Sequence, residues 1–144
     1  MTFRKDNITI DTPSERKLVV NKGYCPHCGD QLISRHIHDF VTCSCGKSSL
    51  DGGLDYVRTL GDTVTEPLYL DDNYEEIRKH HSRGGRGKDG TLALTWTPLK
   101  DMSNKWLQAC IDYNFEWKMG NSVTTHLYAK ELEYREENDI FIND

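Results

Sequence analysis

Up to Pro98 the apolar residues of this chain come in short runs or alternate with polar ones; beyond it they recur at helical spacing. Leu18, Val19 and Val20 predict a strand over residues 17–21. Residues 31–34 and 39–42 predict two more, paired with each other as a hairpin. Asp51, Gly52 and Gly53 make a turn, and residues 54–60 resume as a strand. Residues 61–67 read as a loop and as the boundary between two halves. Residues 1–16 are polar and read as loose, apart from a short strand over 7–10.

Residues 91–97 alternate with a period of two and predict a strand, and Asp89-Gly90 before them has hairpin-turn chemistry. The expected partner strand is 74–81, giving a hairpin over 74–97; the Glu75-Glu76 pair leaves a helical turn open there. Ser103 is a fitting N-cap, after which Trp106, Leu107, Cys110 and Ile111 form a helical stripe ending at Asn114. A second helix is expected from near Ser122 to near Glu137, with Val123, Leu127, Tyr128 and Leu132 as its apolar stripe. The two helices are expected to pack on the hairpin. The rings of Trp96 and Trp106 then belong to the packing between elements, since large aromatics dominate burial in small cores. Cys110 lies on the apolar stripe and reads as an inert buried thiol.

The candidate chemistry is in four cysteines. Cys25 and Cys28 form a C-x-x-C pair, and Cys43 and Cys45 form a C-x-C pair after fourteen intervening residues. Zn²⁺ prefers four soft ligands in a tetrahedron, and thiolates supply them. Gly29 and Gly46 follow the two pairs and suit the positive-φ corner of a metal knuckle. The competing reading is a disulfide pair or unrelated buried thiols. Four thiolates fill the coordination sphere and leave no place for water, so the expected zinc is structural. His27, His36 and His38 lie nearby as possible replacements for a ligand. The fold class that follows is α+β: an N-terminal zinc ribbon of β-hairpins in residues 1–60, then a β-hairpin and two C-terminal helices in 61–144, these last packed as one unit.

Length and composition narrow the picture further. The chain has 144 residues, enough for a ribbon and one small domain. Apolar residues make up only 36%, with a mean hydropathy of −0.71, so the ribbon is expected to draw its stability from metal. The first residues show no apolar run of the signal-peptide kind, and no stretch approaches a membrane span. A reducing compartment would keep the thiols available for metal.

The formal net charge of −5 means that nucleic acid can be bound only through a local basic patch. One such patch exists: Arg78, Lys79, Arg83, Arg86 and Lys88, with His80 and His81 among them and no acid. A solvated charged hairpin loop is the plainer reading of that run. The segment 130–144 is acidic and reads as a solvated helix end. Trp106, Tyr113, Phe115 and Trp117 form a possible contact patch, with burial in the core as its alternative.

Several runs carry a resemblance. They are Arg35-His36-Ile37-His38-Asp39-Phe40-Val41-Thr42-Cys43-Ser44-Cys45-Gly46, then Asp51-Gly52-Gly53-Leu54-Asp55-Tyr56-Val57-Arg58, then Arg83-Gly84-Gly85-Arg86-Gly87-Lys88-Asp89-Gly90. With Pro98-Leu99-Lys100-Asp101-Met102-Ser103 and the helix end Glu131-Leu132-Glu133-Tyr134-Arg135, they resemble a family of small, largely uncharacterised bacteriophage proteins with an N-terminal zinc knuckle. The resemblance spans most of the chain beyond residue 20. Lys105-Trp106 stands where that family has a histidine and its neighbour, so no role passes to that histidine. The resemblance implies no activity. It implies a context, a phage accessory protein in the host cytoplasm.

The expectation is therefore non-catalytic binding to a host or phage protein, either inhibiting a defence system or modulating transcription. The alternative is nucleic-acid binding through the Arg-Gly loop, with His80, His81 and Tyr74 available to stack bases. Enzymatic activity, for example a small metal-dependent nuclease, has the weakest support. His36, His38, Asp39, His80 and His81 are its only supply of ligands and bases, no known spacing organises them, and in a strand His80 and His81 would face opposite ways.

Overall fold

A computed structural model describes residues 2–5, 8–11, 17–36, 38–87, 89–118 and 122–144, the first two segments as backbone only. The chain divides into two compact units, Arg16–His81 and Met1–Glu15 with Ser82–Asp144. The sequence-based boundary at 61–67 lies elsewhere, within the first of these units. The fold is mixed α+β, as expected.

The short strand expected over 7–10 is present as β2 (Ile8–Asp11), and it pairs antiparallel with β1 (Thr2–Lys5), which the sequence reading left loose. Both lie against the last helix within their own unit.

The unit Arg16–His81 holds two small sheets. In the first, β3 (Leu18–Tyr24) is central, with β4 (Gln31–Ser34) antiparallel on one side. The second contains β5 (Val41–Thr42), β6 (Ser48–Asp51) and β7 (Arg58–Gly61) in that order, all antiparallel. The expected hairpin between 31–34 and 39–42 is thus replaced: β4 pairs back to β3, and β5 pairs forward to β6. The other edge of β3 takes β8 (Val64–Thr65) and β9 (Leu68–Tyr69), so the expected loop 61–67 contains a strand of the sheet. A glycine is needed on β3 for this pairing, because a Cβ at Gly23 would run into the Val64 carbonyl.

Asn21 ties the two sheets together. Its buried Nδ2 shares its protons among the carbonyls of Asp51 (3.1 Å), Gly53 (2.9 Å) and Tyr56 (3.1 Å). Ser34 does the same from β4, with its Oγ accepting from the Gly53 N–H and donating to the Asp39 carbonyl. Residues 53–55 form a turn, so the strand expected over 54–60 shortens to β7.

Residues 74–81 are a helix rather than a strand. In α1 (Tyr74–His80), Asn73 caps the first turn, Glu75 and Glu76 occupy the positive end, and Arg78, Lys79 and His80 the negative end. Its one buried residue, Ile77, faces inward. One buried residue in seven offers no period-two pattern, so capping and the helix dipole decide the conformation.

In the other unit, β10 (Ser82–Gly85) pairs with β11 (Thr95–Pro98). A hairpin is present, but it begins after α1, and its second strand starts at Thr95 rather than Thr91. A 3-10 turn at Leu99–Asp101 leads to α2 (Asn104–Glu116), capped by Ser103 as expected. α3 (Val123–Glu137) is capped by Ser122 and packs on α2. Leu99, Met102, Leu107, Cys110, Ile111, Leu127 and Tyr128 are buried in this unit. Asn114 does not end α2; it is buried and donates to Thr125 Oγ1 on α3 at 2.8 Å.

The acidic helix end is not fully solvated. Glu131 and Arg135 are buried and paired, Nε to Oε2, at 2.8 Å. Arg135 also donates to Asn104 Oδ1 and to the Leu99 carbonyl, each at 2.8 Å.

Candidate metal centre

Each cysteine pair sits on a tight knuckle. In the first, Gly29 N–H donates to the Cys25 carbonyl at 2.8 Å, with Gly29 at φ 79°. In the second, Gly46 N–H donates to the Cys43 carbonyl at 3.1 Å, with Gly46 at φ 77°. Both glycines therefore occupy the left-handed corner the spacing called for. The first knuckle follows β3 and the second lies between β5 and β6, so the two sheets bring the cysteines together.

The four sulfurs of Cys25, Cys28, Cys43 and Cys45 all lie within 4.8 Å of one another. Cys25 and Cys45 are 3.6 Å apart, and Cys43 and Cys45 are 3.4 Å apart. Tetrahedral thiolate coordination at zinc-like bond lengths calls for about 3.8 Å between sulfurs. A disulfide needs about 2.05 Å, and all five cysteines are free thiols. The arrangement can hold a metal ion.

Electrostatics point the same way. Burial raises the Cys25 thiol, but hydrogen bonds from Ser48, from the Cys28 and His27 backbone and from Cys45 outweigh it and bring it to about 6. For Cys45 a backbone bond at Lys47 works downward, yet burial and the neighbouring sulfurs push it up to about 12. One thiolate thus forms readily and resists ionisation of the next. A bound cation removes that conflict by stabilising all four charges at once. Two of the four, Cys25 and Cys43, are buried in a small apolar cluster with Leu32 and Leu50, edged by Val41 and Val57, while Cys28 and Cys45 are exposed.

One supporting residue escaped the sequence reading. Asp30 Oδ2 accepts the Ser44 N–H at 2.7 Å and so links the first knuckle to the second. Its bonds to Ser44 hold the carboxyl below the usual carboxylate range. An aspartate one residue beyond a knuckle glycine is the only local signal of this role.

No histidine joins the sulfur cluster among the described residues. His27 Nε2 pairs with Asp62 Oδ2 at 2.8 Å, and His36 lies 3.9 Å from Asp39. His80 and His81 are not on a strand. His80 closes α1 beside Glu76 at 3.7 Å. His81 is buried, and its Nδ1 lies 2.6 Å from the Val19 carbonyl, which requires the proton on Nδ1. Burial lowers the His81 pKa, against the raising effect of that bond.

The basic run is divided by the fold. Arg78 and Lys79 lie on α1, in the unit Arg16–His81, with Lys79 3.5 Å from Glu76. Arg83 and Arg86 belong to the other unit. Arg86 is exposed, but Arg83 is half-buried, donating from Nη1 to the Tyr128 hydroxyl at 3.0 Å. Lys88 lies outside the described residues. Of the aromatic patch, Tyr113 and Trp117 are exposed with centroids 6.1 Å apart, while Trp106 and Phe115 are half-buried. Cys110 is buried, and burial pushes its thiol up, as expected for an inert thiol.

No helix among the described residues is long and apolar enough to cross a membrane. Residues 17–61 match a family model described as a domain of unknown function (DUF7695), a segment that holds β3 to β7 and all four clustered cysteines. No curated protein and no solved structure matches the chain.

Proposed function

We propose that the four cysteines hold a structural Zn²⁺ and that the protein works by non-catalytic binding to another protein. The observation that carries this reading is the closed set of four sulfurs within 4.8 Å of one another. Zinc held by four thiolates cross-links the two knuckles and leaves no position for a substrate or a reactive water. Softness of the donor set favours zinc over oxygen-seeking cations. The resemblance to phage proteins supplies the proposed setting, the cytoplasm of an infected bacterium, where reduced thiols are the rule. The target would be a host or phage protein, in defence inhibition or transcription control.

The nucleic-acid alternative draws less support. It needs a track of cations, whereas Arg83 is engaged with Tyr128 and Lys79 lies 3.5 Å from Glu76.

Elemental analysis of the purified chain tests the metal, with one zinc per chain expected. An affinity pulldown from host lysate, with and without nuclease, tests the function. A protein recovered under both conditions supports the reading. Nucleic acid recovered only without nuclease, and no protein, refutes it.

A further inference from the structure

Arg83 is the anomaly of the helical unit. It stands on β10, half-buried, and its Nη1 donates to the Tyr128 hydroxyl. The guanidinium lies 5.8 Å from the centroid of the Tyr128 ring. Cys110 and Tyr113 of α2 are close enough to act on its charge. None of these side chains is a carboxylate, and no carboxylate pairs with Arg83 among the described residues. A partly buried charge ordinarily has an opposite charge beside it. With 23 acidic residues against 18 basic ones, this chain had ample means to supply one. The contrast lies in the same unit, where Arg135 has Glu131 at 2.8 Å.

Tyr128 and Tyr113 are the aromatic neighbours of Arg83. Tyr113 and Trp117 stand one turn apart on α2, 49% and 62% exposed, with their rings tilted at 45°. Two turns before Tyr113, the Trp106 ring covers Gly85, whose added Cβ would meet it at 3.6 Å. Tryptophan, tyrosine and arginine are the residue types that dominate binding energy at protein interfaces.

We propose that Arg83, Tyr113 and Trp117 form a docking point for an acidic segment of a partner protein. A Glu or Asp carboxylate would pair with N–H groups of the guanidinium other than the Nη1 donor held by Tyr128. The neighbouring apolar side chain of the partner would lie on the two rings. The planar fork of arginine suits a carboxylate in this two-bond arrangement. A nucleic acid fits less well, because one guanidinium offers no track for successive phosphates.

The inference rests on the protein-binding reading above, and the two can fail separately. The test is selection from a displayed random-peptide library on the full chain with its metal. Enriched peptides are expected to carry Asp or Glu next to a large apolar residue. Their affinity should fall about ten-fold or more in Arg83→Gln, the scale for losing one partner of a desolvated charge pair. A similar loss is expected in Trp117→Ala. Arg83→Lys should retain only part of the binding, and Arg58→Gln, on the exposed β7, all of it. Should Arg83→Gln lose its circular dichroism, Trp117→Ala and Tyr113→Ala decide, since both sites are exposed. No enrichment, enrichment without an acidic position, or undiminished binding by the folded variants overturns the proposal. So does Arg83-dependent binding of a thymidine oligonucleotide in place of peptides. A lysate partner recovered equally by wild type and Trp117→Ala overturns this surface and leaves the protein-binding reading standing.

Discussion

The unit Arg16–His81 and the unit Met1–Glu15 with Ser82–Asp144 each place charged chemistry in their interiors, and they neutralise it in different ways. In the first, four sulfurs converge, and two of them, Cys25 and Cys43, are half of the buried cluster they share with Leu32 and Leu50. A bound cation would balance the charge of all four thiolates. In the second, Leu99, Met102, Leu107, Ile111 and Leu127 make an apolar interior, and the buried charge of Arg135 is met by Glu131 on the next turn of the same helix. The lesson concerns dependence. A cluster of thiols that holds a metal would fold with its cation, because binding and folding share one free energy. A pair of helices folds on its own side chains.

The strongest way to break this comparison is to remove the metal. Chelation, or Cys28→Ser or Cys43→Ser, should unfold Arg16–His81 and leave the α2–α3 helices intact. Structural zinc contributes on the order of 10 kcal/mol to such small folds. The expected signature in amide hydrogen exchange is loss of protection in β3 to β7 with protection kept in α2 and α3. A Cys43→Ser protein with full zinc content and unchanged thermal stability would sink the four-thiolate assignment.

The matching disruption in the other unit is Glu131→Gln. It leaves Arg135 buried without its counter-charge, at a cost of about 3–5 kcal/mol. Denaturant unfolding followed by helical circular dichroism reads the effect. Replacing both residues, Glu131→Leu with Arg135→Met, should cost much less than either change alone, since the penalty comes from the orphaned charge.

Acid should weaken both units by a smaller, graded amount. Burial and Lys130 lower His126 in the helical unit from 6.5 to about 4, and burial lowers His81 in the other. A histidine with a depressed folded pKa stays neutral in the native state while the unfolded chain takes up a proton. Stability is therefore unaffected above pH 6.5 and falls as pH drops from 6.5 towards about 4. The melting temperature of His126→Gln should fall less steeply over that window than that of wild type. Parallel slopes would show that His126 is accessible to protons in the folded state.

The smallest expected effect sharpens the contrast between packing and surface. Trp117→Ala should change stability by less than about 0.5 kcal/mol, as exposed positions do. A larger loss in thermal melting would mean that this ring packs against the protein and is not displayed.

The most legible parts of the molecule were local. The two knuckle glycines, the Ser103 cap and the start of the second helix near Ser122 each depend on a few residues, so the sequence places them directly. The helical stripe through Leu107, Cys110 and Ile111 is likewise a matter of short spacing. The four cysteines were legible because metal chemistry restricts both residue type and spacing. Strand pairing was less so. Residues 31–34 and 39–42 are close in sequence and suggest a hairpin, yet β4 pairs with β3 and β5 with β6. Asn21 and Ser34, hydrogen-bonded to the turn region after β6, favour that pairing through contacts that span up to 35 positions. Residues 74–81 misled for a related reason. A segment with one inward residue has no period to read, and its caps and end charges decided for a helix.

The sequence by itself determined which four cysteines cluster, the mixed fold class and the two C-terminal helices. These depend on residue types and spacings that act over one or two turns of chain. Only the tertiary structure decided that Glu131 and Arg135 are interior while Tyr113 and Trp117 are exterior, and that Arg83 joins Tyr128 while Arg78 and Lys79 belong to another unit. A charged or aromatic residue reads the same in sequence whether it is buried or exposed. Its surroundings are set by segments far away in the chain, and so is the balance between desolvation and pairing that gives it a role.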